Sequence, residues 1–238
     1  MHDSLRIGIL GASFNPVHIG HLRLALEMRE ALGLDCVDLL PCALPPHKSA
    51  TGLLPFDLRV RLLRAAIHGF AGLRINHMEG EREGPSYTWD SLQDYAARQP
   101  DSRRFFLLGC EDFCTLPQWR KGLELPQLAD FVVVPRDGAG KERFVQAVRK
   151  NWPHALPCPL ELAPHMAELP DAGAFALPGD ARLFYLPLTR LDISASLLRR
   201  RFATGLDIHF LLPPAALECL EAERGAVEEC WKQSQSRL

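Results

Sequence analysis

Short apolar runs alternate with amphipathic stretches along most of this chain. Leu5–Leu10 is the first run, bounded by Gly11, and its Ile7, Ile9 and Leu10 suit a buried strand. Ile19–Leu32 follows, with Leu22, Leu24, Ala25, Leu26, Met28 and Leu32 as its apolar positions, and it stops at Gly33, as a helix does. Cys36–Pro41 reads as a second strand. Strand, helix and strand in succession form a βαβ unit, which predicts a parallel sheet with a right-handed crossover. The alternation continues. Helices are predicted over Asp57–Gly69, Thr88–Arg98 and Gly140–Asn151, with a short helical piece at Leu125–Ala129. Strands are predicted over Arg74–Met78, Phe105–Gly109 and Phe131–Val134. Residues 152–182 hold six prolines and little periodicity, which predicts a loop-rich excursion or lid. Leu183–Leu188 reads as the last strand, Ser194–Ala203 and Pro213–Glu223 as closing helices, and the residues after Val227 as a frayed tail.

The expected fold class is therefore α/β: a doubly wound parallel sheet with a helical C-terminal subdomain. A length of 238 residues fits one domain. Its expected parts are a core over 1–190 with an insertion at about 140–182, a subdomain over 191–226 and a tail over 227–238. Ligands of such sheets sit beyond the carboxyl ends of the strands, near the switch point. Apolar residues at 47% and charged residues at 24% exclude a disordered tail protein, a collagen-like fibre and a coiled-coil rod. The formal net charge of -2 gives no global basic field for wrapping nucleic acid. The longest apolar runs fall well short of the roughly 18–20 residues that span a bilayer, so no membrane association is expected. The first apolar run is broken by Asn15-Pro16, unlike a secretory signal. Seven cysteines without CxxC spacing read as free thiols in a reducing, cytoplasmic setting.

The strongest chemical signal is Gly11-Ala12-Ser13-Phe14-Asn15-Pro16-Val17-His18-Ile19-Gly20-His21. It occupies the first βα turn. Small residues there admit an anionic ligand close to the backbone, and the helix that follows offers unpaired N–H groups and the positive end of its dipole. His18 and His21 are three apart, so both rings can face one side. Two imidazoles at a helix start suit a phosphate whose charge is growing. A second signal is Ile193-Ser194-Ala195-Ser196-Leu197-Leu198-Arg199. Ser194 is a good N-cap, and hydroxyls, backbone N–H groups and a guanidinium together suit a triphosphate. Between Arg190 and Arg201, four Arg against one Asp leave a local charge of +3. An RNA-binding use of that patch is disfavoured by the net charge and by the lack of interleaved exposed aromatics. His154, Cys158 and His165 invite a zinc reading, but the spacing is irregular and lacks an obvious fourth ligand, so no bound metal is expected.

The pattern GxFxPxHxGH resembles the signature of the nucleotidylyltransferase superfamily, and ISASLLR resembles its ISxTxxR element. Pro45-Pro46-His47-Lys48, then Pro85-Ser86-Tyr87-Thr88-Trp89-Asp90-Ser91-Leu92, then Leu116-Pro117-Gln118-Trp119 are similar, in that order, to nicotinate mononucleotide adenylyltransferases. The resemblance runs from about Arg6 to Pro214. It implies a Rossmann-like fold and transfer of the adenylyl group of ATP to nicotinate mononucleotide in NAD biosynthesis. It also implies site roles. His18, His21 and Arg199 would be catalytic. Gly11, Ala12, Ser13, Phe14, Gly109, Glu111, Ile193, Ser194 and Ser196 would bind ATP. His47, Lys48, Tyr87, Thr88, Trp119 and Arg136 would bind nicotinate mononucleotide, with Trp119 stacked on the pyridine ring. Mg²⁺ would enter carried by ATP. Ser196 stands where the family has Thr, and Glu111 where an Asp usually follows the strand-end Gly. Nicotinamide mononucleotide remains open as the acceptor, whereas the PSYT and LPQW segments disfavour phosphopantetheine or the acceptor of a CTP-dependent enzyme, and the presence of both histidines and Arg199 disfavours a non-catalytic nucleotide sensor. The sequence also leaves a homo-oligomer open.

Overall fold

The structure is a computed structural model that describes residues 4–46, 51–135, 140–166 and 169–235, without the side chains of 165 and 233–235. The elements in chain order are β1 (Arg6–Ala12), α1 (Ile19–Leu32), β2 (Cys36–Pro41), α2 (Phe56–Ala66), β3 (Leu73–Ile75), α3 (Thr88–Arg98), β4 (Arg103–Gly109), α4 (Cys110–Cys114), β5 (Asp130–Val134) and α5 (Gly140–Asn151). Then come β6 (Leu156–Cys158), β7 (Gly173–Ala176), β8 (Arg182–Tyr185), α6 (Ala195–Ala203), α7 (Pro214–Ala222) and α8 (Arg224–Gln235). The eight strands form one sheet in the order β3-β2-β1-β4-β5-β8-β7-β6. Pairs β1/β4, β4/β5 and β5/β8 are parallel. The order reverses direction at β1 and β4, so the topological switch point falls at their carboxyl ends.

The predicted bounds of α1, β2, α3 and α5 are those observed. Helix α2 ends at Ala66 instead of Gly69, β8 ends at Tyr185 instead of Leu188, and the piece predicted at Leu125–Ala129 is a 3-10 turn over Leu125–Gln127. Three larger expectations are corrected. Residues 152–182 are not merely a loop: they carry β6, a single 3-10 turn at Pro164–Met166, and β7. These strands pair antiparallel with each other and with β8, so the sheet is parallel-dominated but mixed. Each added strand has only three or four residues, too few to show a period of two. The second correction is the tail, since Arg224–Gln235 is helix α8. The third is Met78, which belongs to a 3-10 turn (Met78–Glu81) instead of β3.

Two compact units divide the chain. The first holds Met1–Gly11, Leu24–Asp38 and Tyr87–Arg190; the second holds Ala12–Arg23, Leu39–Ser86 and Leu191–Leu238. In the first, all five β5 residues are buried, as expected of a central strand covered on both faces. Gly8 lies where a Cβ would meet the Met28 methyl at 2.5 Å and Val37 at 2.8 Å, so any larger residue would push its neighbours aside. Asp130 accepts hydrogen bonds from the Arg103 Nε and the Arg182 N–H, both at 2.7 Å, and thereby staples β4, β5 and β8. An aromatic cluster explains why β7 joins. Phe144 of α5 lies 5.2 Å from Phe113, 5.4 Å from Tyr185 and 6.0 Å from Phe175, all between ring centroids.

In the second unit α2 packs on α7, and α8 packs on α6. Trp231 of α8 is 1% exposed and meets the Phe202 ring edge-on at 5.3 Å, while Arg224 lies over the Phe202 ring at 4.4 Å. Replacing Trp231 with Ala would remove a buried aromatic. The expected cost is about 3–5 kcal/mol in denaturant unfolding, because the cavity adds to the lost transfer energy. A loss below about 1 kcal/mol would show that α8 is not part of the cooperative core.

Candidate active site

The turn after β1 belongs to the second unit, and Gly11 and Ala12 of the motif are the last residues of β1. Phe14 is fully buried with φ of 46°, a left-handed conformation that bulky residues rarely adopt. Asn15 is buried and ties the turn to a later loop: its Nδ2 donates to the Gly52 carbonyl at 2.7 Å, and its Oδ1 accepts from the Leu54 N–H at 3.1 Å. The Ala12 carbonyl accepts from Cys42 N–H at 2.9 Å, and the Ser13 carbonyl from Arg59 Nη1 at 2.7 Å. The N–H of Ile19, the first residue of α1, donates to the Leu211 carbonyl at 3.0 Å.

His18 and His21 stack with centroids 3.6 Å apart and an interplanar angle of 25°. The edge of Phe14 meets the His21 ring at 4.9 Å. The backbone N–H of His18 donates to His21 Nδ1 at 3.3 Å. That bond makes Nδ1 an acceptor, so the neutral His21 ring carries its proton on Nε2 and can donate from there. Gly20 between them keeps the packing close: a Cβ would sit 3.0 Å from the His18 Nδ1, and the ring would have to give by a few tenths of an ångström.

Helix α6 brings in the second motif. Ser194 caps it, its Oγ accepting from the Leu197 N–H at 3.1 Å. Arg199, one turn on and half-buried, donates from Nη1 to the Asn15 carbonyl at 2.8 Å and from Nη2 to Ser196 Oγ at 3.0 Å. Burial pulls its pKa below the ordinary arginine value, yet no carboxylate among the described residues pairs with it. Thus Arg199, Ser196 and the histidine turn are joined directly. Ile193 is partly buried just before the cap, and its carbonyl lies 3.9 Å from where a Gly20 Cβ would be.

The first unit holds Tyr87, Thr88, Gly109, Glu111 and Trp119. Tyr87 is the N-cap of α3 and Thr88 its first residue, both half-buried. Trp119 follows a 3-10 turn (Leu116–Gln118), is half-buried and donates from Nε1 to Thr115 Oγ1 at 3.2 Å. Its neighbour Arg120 lies 5.0 Å above the Tyr87 ring and pairs with Asp90 at 2.9 Å, so the Tyr87 and Trp119 segments adjoin. Gly109 ends β4 and caps α4, and Glu111 is exposed on the first turn of α4. His47, Lys48 and Arg136 lie outside the described residues. Among the described residues no group of three or more His, Cys, Asp or Glu could hold a metal ion; His154 is exposed, and the side chain of His165 is outside that set.

Two residues of the turn's scaffold were missed by sequence reasoning, Asn15 and Arg59. Arg59 did leave a signal. It shares a buried helical stripe with Leu62, Leu63 and Ala66, a core position for a charged side chain.

The cytidylyltransferase-like family model matches residues 9–201. The chain belongs to that family. Its curated relatives within the family include proteins named "Probable nicotinate-nucleotide adenylyltransferase". One from Pelobacter propionicus is 32% identical, covering 95% of this chain and 100% of the relative. Another from Desulfatibacillum aliphaticivorans is 38% identical over 88% and 94% respectively. Among solved structures, Plasmodium falciparum nicotinic acid mononucleotide adenylyltransferase complexed with NaAD superposes with a TM-score of 0.66. It is 18% identical, covering 91% of this chain and 95% of that one, and shows the shared fold. No helix among the described residues is long and apolar enough to cross a membrane.

Cys42, whose N–H and carbonyl both join this turn scaffold, has its thiol pKa raised to about 11 by burial and by the Glu79 carboxylate. A raised thiol pKa keeps the sulfur protonated and unreactive at neutral pH. Iodoacetamide at pH 8 is expected to alkylate the exposed Cys114 and spare Cys42, read by peptide mass spectrometry. Labelling of Cys42 should rise only as pH approaches 11; fast labelling at pH 8 would contradict the burial.

Proposed function

We propose that this chain transfers the adenylyl group of ATP to nicotinate mononucleotide, forming nicotinate adenine dinucleotide and pyrophosphate. The observation that carries this reading is Arg199: a half-buried guanidinium with no carboxylate partner among the described residues, bonded to the same turn that stacks two imidazoles. A lone positive charge held beside two imidazoles fits a polyphosphate. The names of the curated relatives and the order of the PPHK, PSYTWDSL and LPQW segments supply the acceptor.

A 5′-phosphate oxygen of the acceptor attacks the α-phosphorus of ATP in line. The bond from that phosphorus to the bridging oxygen breaks, and its electron pair leaves with pyrophosphate. The attacking oxygen is already anionic, so no general base is required, and catalysis is positioning and charge stabilisation. The Nε2–H of His21, with His18 stacked against it, would donate to an α-phosphate oxygen. Arg199, with Ser194, Ser196 and the backbone at Ile193, would hold the leaving pyrophosphate. Gly11, Ala12, Ser13 and Phe14 would line the phosphate path, with Gly109 and Glu111 toward the nucleoside. Trp119, Tyr87 and Thr88 would receive the pyridine ring, and His47, Lys48 and Arg136 the acceptor phosphate. ATP enters as its Mg²⁺ complex. Arg199 is bonded to the Ser196 hydroxyl and the Asn15 carbonyl, with no carboxylate partner among the described residues, so triphosphate oxygens and water would carry the ion.

Pyrophosphate release from MgATP, measured with nicotinate and nicotinamide mononucleotides in parallel, tests the reading. Much higher kcat/KM with the acid form is expected. Release with neither would leave a nucleotide-binding protein on the same scaffold. His21→Ala is expected to fold normally and to lose on the order of 10²–10³ in kcat, the usual cost of one positioned donor. Unchanged turnover would remove His21 from the mechanism.

A further inference from the structure

We propose that Arg59 is a positioning residue for adenylyl transfer, holding the phosphate turn and two neighbouring segments in one arrangement. The proposal rests on the adenylyl-transfer reading above. Arg59 sits on α2, 1% exposed, and of the residues assigned to substrate it bonds Ser13, at the backbone carbonyl. Its guanidinium makes four hydrogen bonds, all to backbone carbonyls. Nε donates to Leu54 at 2.9 Å, Nη1 to Ser13 and to Cys42 at 2.7 Å each, and Nη2 to Ala43 at 3.3 Å. Burial lowers its pKa while Cys42 and Glu79 oppose that shift, and a guanidinium stays charged throughout.

Three chain segments thus converge on one planar fork: the turn at Ser13, the residues after β2, and the loop before α2. Asn15 closes the same arrangement from the other side through Gly52 and Leu54. The consequence for chemistry lies in the Ser13–Phe14 peptide. Asn15-Pro16 is the only cis bond recorded among the described residues, so this peptide is trans and its C=O and N–H point in opposite directions. Fixing the Ser13 carbonyl on Arg59 therefore fixes the Phe14 N–H on the far side. Among the described residues no acceptor meets that N–H. Phe14 also holds the left-handed conformation that cups successive amides around an anion. Arg59 aims that amide without touching the ligand. Lysine could not replace it, because a single ammonium cannot span three segments with a fixed fork.

The test compares Arg59→Lys with Leu62→Ala, a destabilising change on the same buried stripe of α2, with both assayed well below their melting midpoints. Arg59→Lys is expected to lose on the order of 10² in kcat/KM for ATP, the scale of a small misplacement. Most of the loss should fall on kcat, because a misaimed amide weakens the hold on charge that grows in the transition state. Leu62→Ala should keep wild-type kcat/KM. Wild-type kinetics in Arg59→Lys, or an equal loss in Leu62→Ala, overturns the proposal. If Arg59→Lys does not fold, amide hydrogen exchange on the wild-type protein decides. MgATP should protect residues 13–15 together with 42–44 and 52–54, and protection confined to 13–15 overturns the proposal. Wild-type protein that shows the joint protection but releases no pyrophosphate with either acceptor sinks the adenylyl-transfer reading alone. Wild-type protein that shows no MgATP binding sinks both.

Discussion

Two guanidinium groups hold one short turn by its carbonyl oxygens. Arg59 takes Ser13 from within α2, and Arg199 takes Asn15 from α6. A turn bent back under a buried Phe14 cannot leave its carbonyls without partners, since an unpaired buried polar group costs about 1–3 kcal/mol. Arginine supplies donors at fixed angles, so satisfying the carbonyls also aims the amides and imidazoles of the turn.

Around that turn, the absence of a side chain matters as much as its presence. Gly20 leaves room for the His18 ring to lie flat on His21, and Gly8 lets α1 settle against β1. The two guanidinium groups divide the work. Arg59 is spent entirely on backbone carbonyls. Arg199 uses one nitrogen on Asn15 and one on Ser196 and stays half-exposed. In the proposed reading the same residue type therefore serves as scaffold in one place and as ligand-facing charge in the other, and burial makes the difference.

Much of the first unit was legible because its elements are long and locally stopped. Helices α1, α3 and α5 end where Gly33, Gln99 and Trp152-Pro153 interrupt their apolar periodicity, and their bounds were read without error. The histidine turn was legible because its chemistry is concentrated in eleven consecutive residues. Strands β6 and β7 were not, because three- and four-residue strands with Pro157 among them carry no alternation of their own. They exist because β8 and the ring of Phe144 give them something to pair with and pack on. Helix α8 was missed for a related reason: its buried Trp231 lies among Glu, Lys and Gln, and the Phe202 ring it packs on comes from another helix.

The sequence by itself determined the α/β alternation, the turn that carries both histidines, the cap at Ser194 and the order of the motifs. All of these follow from spacing within a few residues, where backbone geometry is nearly the same in any context. The tertiary structure alone decided which carbonyls the two arginines meet, how the imidazoles stack, and that the sheet ends in antiparallel strands. Those outcomes depend on groups brought together from up to 184 positions apart, as with Arg199 and Asn15. No local period records such a meeting; only the packing of the chain against itself does.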